Sequence, residues 1–162
     1  MDNTSEDKHL GFLEKAVELS KSGITNSIGG PFGCVIVKDG KIIAEGSNSV
    51  SSTNDPTAHA EVVAIRNACK KLGTYQLGGC ILYTSCEPCP MCLGAIYWAR
   101  PDKVYYANTR QDAAEIGFDD EFIYKEIPLP DQQRQIPFIH LHSETALQVF
   151  KLWEQKQDKK LY

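Results

Sequence analysis

Two short stretches hold side chains able to do chemistry together: His59-Ala60-Glu61 and Cys86-Glu87-Pro88-Cys89-Pro90-Met91-Cys92. Thiolates and an imidazole suit Zn²⁺, and three protein ligands leave a fourth tetrahedral position for water. Cys89 and Cys92 lie three apart, so in the first turn of a helix both sulfurs face one side. His59 completes the triangle if the start of its own helix converges on theirs. Glu61 is near enough to take a proton from water that zinc has brought to a pKa of ~7, without being needed as a ligand. A structural site would instead be closed by four ligands, and Cys86 is the residue that would supply the fourth. Read alone, C-x-x-C also fits a redox motif, and a lone H-x-E means little.

Several elements must position these residues. Residues 7–22 form an amphipathic helix, with Leu13, Ala16, Val17 and Leu19/Ser20 as its stripe and Gly23 as its stop. Gly29-Gly30-Pro31 breaks the chain. Cys34–Val37 and Ile42–Ala44 flank Asp39-Gly40, which predicts a hairpin with a two-residue turn. After a turn-rich loop over 51–56, Thr57 is expected to cap a helix to about Leu72, burying Val62, Ile65, Cys69 and Leu72. Cys80–Thr84 reads as a buried strand leading straight into the cysteine cluster, where Pro90 suits the first turn of a helix to about Ala99. Val104–Ala107 reads as a strand, 110–116 as a short helix and Pro137–His142 as a last strand. A closing helix over 144–157 turns Leu147, Phe150 and Leu152/Trp153 inward. Strands alternating with helices make an α/β layer protein, with a hairpin first and parallel strands after it.

The 162 residues suit one domain, and 42% hydrophobic with 23% charged residues is the composition of a globular chain. A net charge of −4 disfavours binding to nucleic-acid phosphates or anionic membrane. No run of about 18 apolar residues suggests a membrane span, and the polar start MDNTSEDKHL does not read as a secretory signal. A reducing cytoplasm is therefore expected, and the six cysteines read as thiols rather than disulfides. Cys34, Cys69 and Cys80 stand alone in apolar runs, as small core residues do. His9, His140 and His142 have no partner pattern and are assigned to packing or surface.

H-x-E followed in order by P-C-x-x-C is the signature of zinc-dependent nucleobase deaminases. It assigns His59, Cys89 and Cys92 as ligands and Glu61 as the acid and base, and leaves Cys86 as a neighbour. The sequence resembles the cytidine deaminase superfamily and, within it, the short bacterial-type guanine deaminases. The resemblance runs through Gly29–Gly33, Val35–Gly40, Asn54–Glu61, Tyr83–Arg100, Gly117-Phe118-Asp119-Asp120 and the terminal Tyr162. The earlier blocks are shared with tRNA adenosine deaminases; Gly117–Asp120 and Tyr162 are the narrower pointers.

This resemblance implies a three-layer α/β/α sandwich on a five-stranded mixed sheet, with one Zn²⁺ per subunit. It implies hydrolysis of guanine to xanthine and ammonia by metal-activated water at C2, with Glu61 moving the proton. Guanosine or another nucleoside or nucleobase is the alternative substrate, with cytidine and tRNA adenosine behind it. A zinc-stabilised binding module without turnover is the remote alternative. A homodimer is implied, in which residues of about 143–162 exchange between subunits. Phe32 and Asn48 would line the base pocket, Asp120 and the partner's Tyr162 would recognise the purine, and Trp98 would shape a wall. As residues alone, Phe32 and Trp98 also read as core, and Asp120 as part of a solvated acidic stretch.

Overall fold

A computed structural model describes residues 3–162, with side chains from residue 6 onward. It divides into two compact units, 1–120 and 121–162. The first unit opens with helix α1 (Asn3–Thr25), followed by strands β1 (Gly33–Lys38) and β2 (Lys41–Ser47). They pair antiparallel, and the turn between them places Asp39 at φ 49° and Gly40 at φ 71°. Two successive positive φ values suit the twist of a two-residue hairpin, as Asp-Gly predicts. A single helical turn, α2 (Val50–Thr53), lies in the segment expected to be loop.

Helix α3 (Ala60–Leu72), strand β3 (Cys80–Cys86), helix α4 (Pro90–Ala99), strand β4 (Lys103–Asn108) and helix α5 (Arg110–Glu115) complete the unit. The sheet order is β2-β1-β3-β4, with β3 antiparallel to β1 and parallel to β4. Four strands stand where five were expected. Residues 137–142 form no strand, and Ile139 and Leu141 there are exposed. No sheet face buries their alternate side chains, and Pro137 has no N–H to give a ladder.

Central strand β1 is buried on both faces, and its side chains alternate between two cores. Cys34 and Ile36 join Leu82 under Ala60, Ala64 and Ala68 of α3 and Ile96 and Ala99 of α4. Val35, Val37 and Tyr83 pack on the opposite face against Phe12, Leu13 and Leu19 of α1. Three layers result, as expected. Val17, assigned to the α1 stripe, is instead exposed, because the packed ridge runs through Phe12, Leu13, Ala16 and Leu19. Gly23 does not stop α1, which continues to Thr25.

Two glycines set how closely the helices lie on the sheet. A Cβ on Gly33 would stand 2.2 Å from the Ala16 carbonyl oxygen of α1, and one on Gly46 2.3 Å from the Ala60 oxygen of α3. Only hydrogen fits at either contact. Thr57 does not cap α3: its N–H and hydroxyl both donate to the Asp55 carboxylate, and the helix begins two residues later with His59 at the cap.

The second unit holds α6 (Glu121–Glu126), a short 3₁₀ turn (Asp131–Gln133) and α7 (Glu144–Gln155). Ser143 caps α7 through the Ala146 N–H. Leu147, Phe150, Leu152 and Trp153, expected to face inward, are exposed in the single chain.

Candidate functional site

The two motifs sit at two helix starts on the same face of the sheet. His59 is the N-cap of α3 and Cys89 the N-cap of α4, both in extended backbone, and neither side chain caps its helix. Their backbone carbonyls start the helical ladders, accepting from Val63 N–H and Leu93 N–H. The side chains are thereby left for another task. Pro90 occupies the first helical position, where its missing N–H would have had no helical partner. Cys92 lies on the buried face of α4 with Ile96 and Ala99.

Nδ1 of His59 lies 3.5 Å from Cys89 Sγ and 3.5 Å from Cys92 Sγ. All three donor atoms fall within 4.8 Å of one another, the only such group of His, Cys, Asp and Glu among the described residues. Tetrahedral zinc with ordinary Zn–N and Zn–S bonds requires N···S separations of about 3.5 Å. The donor set and its spacing fit that ion. Cys86, the candidate fourth ligand, is outside the group; its thiol donates instead to the Thr109 carbonyl oxygen at 3.5 Å, and burial pushes it up to about 11.

Charge within the cluster is unevenly divided. The hydrogen bond from Cys92, with His59 beside it, holds the Cys89 thiol down to about 4. Cys92 is pushed well up by its bond to Cys89 and by burial, and the bond to Cys89 raises His59. Both helix N-termini bring positive dipole ends to this place, which favours thiolate.

Glu61 stands on the second residue of α3 and is 5% exposed. Burial raises its carboxyl above the usual range. Its Oε1 accepts from the Thr84 hydroxyl at 3.0 Å, and its Oε2 lies 3.3 Å from Cys92 Sγ. Thr84 and Ser85 close the end of β3 against β1. Ser85 Oγ accepts from Gly33 N–H at 3.0 Å, and Thr84 Oγ1 also reaches the Gly33 carbonyl at 3.5 Å. Neither was singled out by motif; the signal for both is a buried hydroxyl at the end of an otherwise apolar strand.

A carboxylate outside the donor triad, next to a three-donor metal site, is a catalytic rather than a structural arrangement. A sequence model of the cytidine and deoxycytidylate deaminase zinc-binding region matches residues 6–108. The chain belongs to this deaminase family. As a member it carries one Zn²⁺, for which the His59, Cys89 and Cys92 cluster is the fitting site. It is 62% identical over 154 residues to a guanine deaminase of Bacillus subtilis, covering 95% of this chain and 99% of that one. The X-ray structure of guanine deaminase from the same organism superposes with a TM-score of 0.93, covering 95% of this deaminase and 98% of that chain. A tRNA-specific adenosine deaminase of Aquifex aeolicus is 49% identical over 77 residues, covering 48% of this chain and 51% of that one.

The other predicted site residues fall into two groups. Asn48 is buried, its N–H donates to the Phe32 carbonyl, and its Oδ1 accepts from Gly30 N–H and Val50 N–H. Phe32 is half-buried and meets Phe118 edge-on at 4.9 Å between ring centroids. Phe118 is followed two residues later by Asp120, whose carboxyl is raised by burial and by Cys89. Asn48, Phe32 and Asp120 all belong to the first unit, and Asp120 feels the charge of Cys89. Trp98 is 63% exposed and lies off the buried face of α4 that carries Cys92. Tyr162 lies in the second unit and is exposed in the single chain. His9, half-buried on α1, lies over the sheet with its Nδ1 2.7 Å from Tyr83 Oη, and His142 pairs with Glu144 on the surface.

Proposed function

We propose that this chain is a zinc-dependent guanine deaminase, hydrolysing guanine to xanthine and ammonia. The observation that carries the reading is Glu61, buried beside the three metal donors without being one of them. Guanine as the substrate rests on the likeness to the Bacillus subtilis enzyme over 95% of the chain. His59, Cys89 and Cys92 would hold the metal, which when bound would supply the Lewis acidity that makes water a nucleophile near neutral pH.

In the reaction a C2–O bond forms and the C2–N bond to the exocyclic amine breaks. Glu61 takes one proton from water and passes it to the ring nitrogen, where it stays; it then takes the second from the new C2 hydroxyl, as the carbonyl forms, and gives it to the amine, which departs as ammonia. Phe32 gives the base a flat apolar face, and Asn48, fixed through its Oδ1, offers its amide N–H groups. Asp120 accepts from guanine N–H groups where adenine presents an acceptor, so that adenine would leave a carboxylate unpaired. Trp98 forms an outer wall.

The whole chain works as one deaminase domain, in a homodimer whose tails of about 143–162 exchange. The partner subunit's Tyr162 then closes the pocket and excludes water. Exposed Phe150 and Leu152 on α7 support this reading, since a second subunit would cover them. We place the protein in the cytoplasm, where its six free cysteines would stay reduced.

Ammonia release from guanine, guanosine, cytidine and adenine, measured for wild type and Glu61→Gln, tests this. Guanine should be preferred, and the variant should retain zinc while turnover falls by about 10²-fold or more. A zinc-loaded Glu61→Gln protein as fast as wild type would overturn the mechanism, and a monomer at micromolar concentration would overturn the exchanged tail.

A further inference from the structure

We infer that Thr84 is the positioning residue for the Glu61 carboxylate. It anchors Oε1 and so leaves Oε2 as the oxygen that exchanges protons. The inference rests on Glu61 as the proton carrier proposed above. Thr84 is fully buried near the end of β3, and its hydroxyl has two acceptors within reach, Glu61 Oε1 at 3.0 Å and the Gly33 carbonyl at 3.5 Å. The shorter bond goes to the carboxylate.

The two carboxylate oxygens thus have different surroundings. Oε1 faces the strand hydroxyl, and Oε2 faces Cys92 Sγ at 3.3 Å, on the side of the metal donors. A cysteine bound to metal is a thiolate, which accepts hydrogen bonds and donates none. Thr84 then supplies the side-chain donor to Glu61. Without it, the carboxylate would be held only by the Glu61 backbone N–H; its last torsion has broad preferences, and the proton-carrying oxygen would be less well fixed. Misplacement of such a group by a fraction of an ångström is enough to slow a reaction substantially.

Thr84 is itself rigidly held. Its strand pairs with β1 through the Cys34–Thr84 register, and the neighbouring Ser85 hydroxyl accepts from Gly33 N–H. Being β-branched, it has few rotamers. The hydroxyl therefore reports the position of the sheet to the acid on α3. Motif spacing gives no sign of this, because the two residues are 23 apart in sequence.

Thr84→Val keeps the shape and removes the hydroxyl. Its kcat on guanine should fall about 10- to 100-fold, as for groups that orient functional ligands, with KM within about threefold of wild type. Zinc content by mass spectrometry should stay at one per chain. Thr84→Ser should restore most of the rate, and Thr84→Ala should not. That pair differs in the hydroxyl alone, so it decides the matter even if the valine variant folds poorly. In a Glu61→Gln background, Thr84→Val should cause no further loss, because a group acting through Glu61 has nothing left to position. Full kcat in Thr84→Val beside an inactive Glu61→Gln would overturn the role of Thr84 and leave the deaminase reading intact. Equal losses in Thr84→Ser and Thr84→Ala, or additive loss in the double variant, would overturn it as well. An active Glu61→Gln protein would instead overturn the reading beneath it.

Discussion

Replacing Gly46 by alanine tests whether the seating of α3 on β2 fixes the site. The added Cβ would stand 2.3 Å from the Ala60 carbonyl oxygen and 2.6 Å from the Ala64 nitrogen. Both are backbone atoms inside a helix, so no side-chain rotation relieves the overlap. To regain 3.0 Å from the oxygen, α3 must shift by about 0.7 Å, in a core packed too tightly to absorb it. Overpacking of this kind costs about 1–3 kcal/mol. At roughly 2–4 °C per kcal/mol for a chain of this size, Tm should fall by about 2–12 °C. The displaced residues include His59 and Glu61, at the very start of α3, so zinc affinity and kcat should fall with Tm, activity by about 10²-fold if the shift reaches 1 Å. Gly94→Ala on α4 is the control: nothing lies within 4 Å of its Cβ, and alanine in a helix is favoured by roughly 0.5–1 kcal/mol. Circular-dichroism melts, zinc stoichiometry and ammonia release would be compared across the three proteins. A Gly46→Ala protein with wild-type Tm and zinc affinity would refute the close-contact argument.

Tyr83 is buried and its hydroxyl is pushed up to about 12. The folded state keeps its proton where the unfolded chain, with a pKa near 10, releases it. The stabilisation is therefore complete below pH 10 and is lost between 10 and 12, up to roughly 2–3 kcal/mol. Urea unfolding at pH 9 and 11 should show wild type losing more stability than Tyr83→Phe over that interval. Removing the metal with a chelator should lower Tm by about 5–11 °C, since ligand at 100 times its Kd contributes about 2.7 kcal/mol. Added zinc should restore the wild type, and Cys89→Ser should show little response to either treatment. Asp120→Asn should cut kcat/KM for guanine by about 10²-fold or more while leaving the melting curve unchanged, as steady-state kinetics and a thermal scan would show.

What is legible in the sequence is what neighbours in sequence decide. Asp39-Gly40 is a turn because those two residues accept positive φ, and Cys89 with Cys92 is a pair because one helical turn brings them together. His59 joins them only through the fold, yet its motif is short and its partner motif is in order, so the cluster is readable too. Thr57 looks like a cap by type, but Asp55 two residues earlier competes for its N–H and hydroxyl, and the helix starts later. Residues 137–142 alternate in a strand-like way without any sheet to receive them. The inward face assigned to α7 assumes a core on the same chain, which the exposed Phe150 and Leu152 do not find. Thr84 is invisible for a different reason: a hydroxyl in a strand has no spacing signature, and its meaning comes from the helix laid across it.

The two unused caps have a consequence of their own. Helices usually begin with Ser, Thr, Asp or Asn, whose side chains stabilise the first turn by about 1 kcal/mol. At α3 and α4 that place is given to His59 and Cys89, whose side chains turn toward each other, 30 residues apart in sequence. A metal gripping both is in effect one cap serving two helices. The amides of Glu61 and Val62 and those of Met91 and Cys92 should then be guarded as one cooperative unit. Their hydrogen exchange should slow together on loading with zinc and quicken together on its removal. A substitution that loosens one helix start would be felt at the other.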